Sequence, residues 1–166
     1  MIEKAKSINS DKNIKYLVQD ISKLDITGTF DLVLSSLVLH YIEDYPQLIE
    51  SLKPRLNSNG TILFSVEHPI FTSEGSQTWV VDKDGKPLHW PVDHYYDESW
   101  RTSTFLGESV MKYHRTMSQY INTLITAGFT IDALTEVIPP QEWLQEAEEN
   151  LNELRRPMML IIKAHL

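Results

Sequence analysis

Two short runs carry the groups best suited to proton chemistry, Glu67-His68-Pro69 and Tyr113-His114-Arg115-Thr116. An imidazole titrates near neutral pH, so His68 or His114 suits a general base wherever a bound acceptor must lose a proton. The same rings serve equally well as hydrogen-bonded structural groups in a turn. Arg115 offers a planar fork of donors to an acidic substrate group or to an internal glutamate. Six histidines raise the question of metal, yet neither H-x-x-x-H nor H-E-x-x-H occurs and His89 and His94 sit in an irregular stretch, so no metal is expected. Asp82-Lys-Asp-Gly85 brings its glycine too early for a calcium loop and lacks the closing glutamate. The chain has no cysteine, which removes disulfides, thiolate nucleophiles and thiolate zinc sites. G-x-S-x-G is absent as well, against a serine hydrolase of the α/β type.

At 166 residues the expectation is one domain spanning 1–166 with a single core. Fifteen basic against twenty-three acidic residues give a net charge of -8, which repels phosphate backbones and anionic lipid; neither nucleic acid nor membrane is expected as a partner. The first residues lack the apolar stretch of a signal peptide, and no apolar run approaches the roughly 20 residues that span a bilayer. A soluble cytoplasmic protein is the expectation.

The elements that must position these side chains follow from periodicity. Ile2, Ala5 and Ile8 fall at helical spacing. Asn13 to Val18, ending at Gln19-Asp20, and Phe30 to Ser36 read as strands separated by a turn at Asp25–Gly28. Leu48, Ile49, Leu52 and Leu56 form a helical stripe that stops in the polar Asn57-Ser-Asn-Gly60, before a strand from Gly60 to Glu67. Between 69 and 112 the periodicity fails and aromatics, prolines and charges accumulate, as in an inserted cap; Asp84-Gly85 marks a hairpin within it. Trp90, Tyr95, Tyr96 and Trp100 wall a pocket facing a cationic ligand, or simply pack on the sheet. A helix over 113–127 stops at Gly128, strands are predicted over 129–137 and 158–165, and a helix with an acidic face over 140–154.

The order of these segments, with Tyr16-Leu-Val-Gln-Asp20, Phe30-Asp-Leu-Val-Leu-Ser-Ser36, Leu37-Val-Leu-His-Tyr-Ile42 and Gly60-Thr-Ile-Leu-Phe-Ser-Val-Glu67, resembles the middle of a class I S-adenosylmethionine-dependent methyltransferase of the bacterial small-molecule type. The resemblance implies an α/β, Rossmann-like sheet, mostly parallel with an antiparallel C-terminal strand, and S-adenosyl-L-methionine as cofactor. It places Asp20 and Ile21 at the adenine, an acceptor beside a donor, although Asp20 equally suits capping of the turn toward Ser22. Ser35, Ser36 and Leu37 fall at the methionine end, where small side chains let the sulfonium approach. Tyr41, Tyr96 and Arg115 fall to the small-molecule acceptor, His68 and His114 to catalysis, and His40 to packing beneath the site.

Such enzymes open with a glycine-rich loop, and no G-x-G occurs here. The sequence therefore reads as the rear portion of the fold, N-terminally truncated, with Met1-Ile2 matching an internal stretch of relatives. In the family's strand order, 3-2-1-4-5-7-6, two central strands would be missing. Either the third and fourth strands pair directly, or the exposed sheet edge awaits a complementing chain or self-association. The alternative to an enzyme is a catalytically inactive fragment acting as a binding or interaction module.

Overall fold

The computed structural model describes residues 2–166; Met1, counted above in the opening helix and the domain, lies outside the described residues. In chain order the elements are α1 (Ile2–Ile8), β1 (Phe30–Ser36), α2 (Tyr45–Leu52), β2 (Leu56–Glu67), α3 (Pro69–Thr72), β3 (Val80–Val81), β4 (Pro87–His89), β5 (Trp100–Phe105), β6 (Glu108–Tyr113), α4 (Met117–Thr126), β7 (Thr130–Glu136), α5 (Gln141–Glu146) and β8 (Met159–His165).

The main sheet has four strands in the order β1-β2-β8-β7. β1 and β2 are parallel, while β8 runs antiparallel to both its neighbours, which leaves β7 pointing the same way as β1 and β2. A mixed sheet with its one reversed strand near the C-terminus is the architecture the resemblance implied.

The helices on one face are set by local chemistry. The Asp44 carboxylate accepts the Gln47 N–H, Pro46 follows in the first turn, and Tyr45, Leu48, Ile49 and Leu52 form the buried stripe of α2. Thr116 accepts the Gln119 N–H to start α4. Its end is a Schellman cap: Gly128, at φ +91°, donates to Ile125 O and Phe129 donates to Leu124 O. These two helices lay their stripes on Ile62, Phe64 and Val66 of β2 and Leu160 and Ile162 of β8, the centre of the core.

Four expectations are corrected. Tyr16–Asp20 is irregular chain that joins no ladder; a strand is held by its neighbour, and none of the described strands pairs with it, so its apolar Val18 stays 84% exposed. The helix expected over 140–154 is α5 followed by a 3-10 segment, Glu148–Arg155, because Ala147 is fully extended at φ -153°. The helix expected from Tyr113 begins four residues later, since Tyr113 ends β6 and Thr116 supplies the cap. The irregular stretch 69–112 holds the hairpin expected around Asp84-Gly85, β3 with β4, and a second one, β5 with β6. The latter turns on Leu106-Gly107, both at positive φ, a pairing that composition disguises because leucine rarely takes that conformation.

Candidate active site

At the open end of β1 the backbone makes a sharp, left-handed turn. Ser36 lies opposite Ser65 on β2, and the next residue, Leu37, turns to φ +54°. A branched side chain in that region costs about 1–2 kcal/mol, so the surroundings must hold it. They do: Leu37 N–H donates to Ser65 O at 3.0 Å and to Ser65 Oγ at 3.2 Å. Ser35 presents a buried Oγ that has no protein partner among the described residues.

The chain then makes a 3-10 turn, Leu39–Tyr41. His40 is buried and its Nδ1 accepts the Glu67 N–H at 3.3 Å. Burial pulls its pKa down to about 4, so the ring is neutral at pH 7 and can accept that bond. The Tyr41 ring rests on it at 4.5 Å with its hydroxyl held above the usual range, first by burial and then by the Glu67 charge.

The same turn is held from below by Arg115. Its guanidinium donates to the carbonyls of Leu39 (3.2 Å), Ile42 and Glu43 (2.7 Å) and stacks on Tyr113 at 4.7 Å. The side chain expected to meet an acceptor is therefore buried and engaged with backbone.

His114 is buried too. Its Nε2 donates to Tyr95 O at 2.9 Å, which leaves Nδ1 to accept the Thr72 hydroxyl at 2.7 Å. His68 Nδ1 accepts the Ile70 N–H at 3.1 Å, capping α3, and its Nε2 stands 3.0 Å from Glu136 Oε1 without the alignment of a hydrogen bond. Burial lowers the pKa of both rings.

Asp20 and Tyr41, far apart in sequence, line one cleft of about 360 Å³ together with Ser22, Ile42, Glu43 and Asp44. Asp20 Oδ1 accepts both the N–H (2.9 Å) and the hydroxyl (2.7 Å) of Ser22, so the turn-capping reading of this carboxylate holds. Those bonds keep it below the usual carboxylate range and ionised. Its second oxygen has no protein donor among the described residues. Ile21 opens the following 3-10 turn and packs on the core.

Other expected residues stand apart. Tyr96 is 90% exposed and touches Tyr95 edge-on at 5.5 Å. Trp90 stacks on Phe71 at 4.9 Å and on the Arg156 guanidinium at 4.3 Å, so packing accounts for it. Sequence reading passed over Lys112 and Gln77, which converge on Glu67: Lys112 Nζ lies 2.6 Å from Glu67 Oε1 and Gln77 Nε2 donates to Glu67 Oε2 at 2.6 Å. The available signal was a glutamate ending the apolar run of β2. Among the described residues no group of three or more His, Asp or Glu side chains is disposed to hold a metal, and no helix is long and apolar enough to cross a membrane.

The family profile of the methyltransferase domain matches residues 1–64. A crystal structure from Listeria monocytogenes, described as an S-adenosylmethionine-dependent methyltransferase, is 44% identical, with a TM-score of 0.93 over 99% of this chain and 74% of that one. Another S-adenosylmethionine-dependent methyltransferase, from Mesorhizobium loti, is 35% identical, with a TM-score of 0.88 over all of this chain and 76% of that one. A Haemophilus influenzae protein of uncharacterised function is 35% identical over 139 residues, 81% of this chain; the chain spans about half the length of that curated relative, 53%.

Proposed function

The chain belongs to the S-adenosylmethionine-dependent methyltransferases, and we propose that it takes part in methyl transfer to a small molecule at the open ends of β1 and β2. The observation that carries this reading is the cleft shared by Asp20 and Tyr41, which come from the turns on either side of β1.

The residues present suit one side of the cofactor. Asp20 has a free carboxylate oxygen for the adenine amino group, and the Ile21 N–H is the neighbouring donor. Ser35, with its unpartnered Oγ, Ser36 and Leu37 would line the methionine end, where small side chains leave room for a sulfonium. When bound, the cofactor supplies an electrophilic methyl group on a positively charged sulfur. Arg115 fixes the turn that carries Tyr41, and Tyr41 then meets the acceptor from a preset position. Tyr96, on the exposed cap segment, would offer its free ring to the acceptor. His114 and His68 already have internal partners, so either ring acts as a base only after giving up Thr72 or Ile70.

The cap, residues 69–112, supplies acceptor specificity, and the domain as a whole works with its β1 edge covered. Leu34 is 67% exposed on that strand, which suits pairing with a complementing chain or a second copy.

The test is transfer of a radiolabelled methyl group from S-adenosylmethionine into a fractionated metabolite extract. Label in the small-molecule fraction is the expected result. Label confined to protein or nucleic acid would overturn the proposed acceptor class.

A further inference from the structure

Glu67, Gln77 and Lys112 meet at the end of β2 from three separate stretches of the chain. Lys112 Nζ is 2.6 Å from Glu67 Oε1, Gln77 Nε2 donates to Glu67 Oε2 at 2.6 Å, and Lys112 also donates to Gln77 Oε1 at 3.1 Å. Taking such an ion pair out of water costs several kcal/mol per ion, and apolar residues of similar volume tether a ribbon to a sheet as well or better. Tethering alone therefore does not explain it.

The pair is asymmetric. Both side chains are buried, Lys112 keeping 3% of its exposure and Glu67 10%, so what little surface the pair presents is mostly that of the carboxylate. Gln77 holds its bonds from a left-handed backbone, φ +56°, a strain of about 1 kcal/mol or more for a residue with a side chain. A carboxylate has about four lone-pair sites, and the protein fills two. The Glu67 N–H goes to the neutral His40 ring, so that neighbour adds no second positive charge, and the Glu67 charge reaches the Tyr41 hydroxyl.

We infer that Glu67 orients the methyl acceptor: a carboxylate, backed by Lys112 and steadied by Gln77, that accepts an N–H from an amine-bearing molecule. This rests on the methyl-transfer reading and narrows its acceptor to a nitrogen compound. A carboxylic acid in the same place would meet the Glu67 charge.

Benzylamine and benzoate share a ring and differ in the sign of their charge, so the pair makes the probe. Protein labelled with 13C-glutamate is titrated with each at pH 7, the Glu67 carboxyl resonance being assigned by its disappearance in Glu67→Gln. The expected result is a saturable shift with benzylamine, none with benzoate, and binding at least about tenfold weaker in Glu67→Gln, which keeps an oxygen for Lys112. No response to benzylamine, or an equal response to both, overturns the inference. If Glu67→Gln does not fold, by near-ultraviolet circular dichroism, Glu67→Asp supplies the assignment and the two wild-type titrations decide. A parallel titration with S-adenosylhomocysteine separates the claims. Response to it alone sinks the role of Glu67 and leaves methyl transfer standing; response to benzylamine alone leaves Glu67 an amine-binding carboxylate but overturns its part in methyl transfer.

Discussion

His40 and Arg115 show how single side chains set this site, and each yields a test. The buried imidazole is neutral in the folded chain and ordinary in the unfolded one, so between pH 6.5 and 4 the unfolded state binds more protons. Stability from this group is therefore complete above pH 6.5 and is lost as pH falls through that window. A drop from 6.5 to about 4 corresponds to roughly 3 kcal/mol. His68 and His114 shift in the same direction. Urea midpoints measured from pH 7 to 5 should fall for the wild type and fall less for His40→Asn, whose amide oxygen can still accept the Glu67 N–H. Equal slopes would assign the acid sensitivity elsewhere. Arg115→Ala strips the Leu39, Ile42 and Glu43 carbonyls of their donor. The Leu39 carbonyl is buried and those of Ile42 and Glu43 partly so; an unmet buried carbonyl costs about 1–3 kcal/mol, so denaturation should report a loss of about 2 kcal/mol. The arginine was legible as a chemically capable residue, but its direction was not. A guanidinium fork fits carboxylates and backbone carbonyls alike, and only the turn after β1 decides between them.

Helices and strands with their own chemistry were readable, and those that depend on a partner were not. α2 carries Asp44, Pro46 and a buried stripe, and α4 carries Thr116 and Gly128; each signal acts within a few residues. β1 came out with its full range because Phe30 to Ser36 pairs with β2. Tyr16–Asp20 has comparable composition and no neighbour, so a pattern that reads as strand gives only irregular chain. The same dependence governs the β1 edge. Unpaired N–H and C=O groups beside exposed Leu32 and Leu34 invite another strand. Sedimentation velocity over a concentration series should show association that Leu34→Lys suppresses; a wild type that stays monomeric throughout would argue against pairing at this edge.

For the molecule as a whole, the fold brings Asp20 and Tyr41 to one cleft although they come from separate turns. That convergence was legible only through the order of the segments. The Glu67 network was not, because Lys112 and Gln77 belong to a cap whose folding rests on turns such as Leu106-Gly107. The net charge of -8 suits a cationic sulfonium better than a phosphate backbone as a long-range partner. A dissociation constant in the millimolar range corresponds to on the order of 4 kcal/mol, and a residue-by-residue readout detects binding even that weak. The most direct test is therefore a titration of 15N-labelled protein with S-adenosylhomocysteine, followed residue by residue. The account predicts saturable shifts at the amides of Ile21, Ser22, Ser36, Leu37 and Tyr41, weakened in Asp20→Ala. Shifts confined to the stack of Phe71, Trp90 and Arg156, or none at about 10 mM ligand, would contradict it.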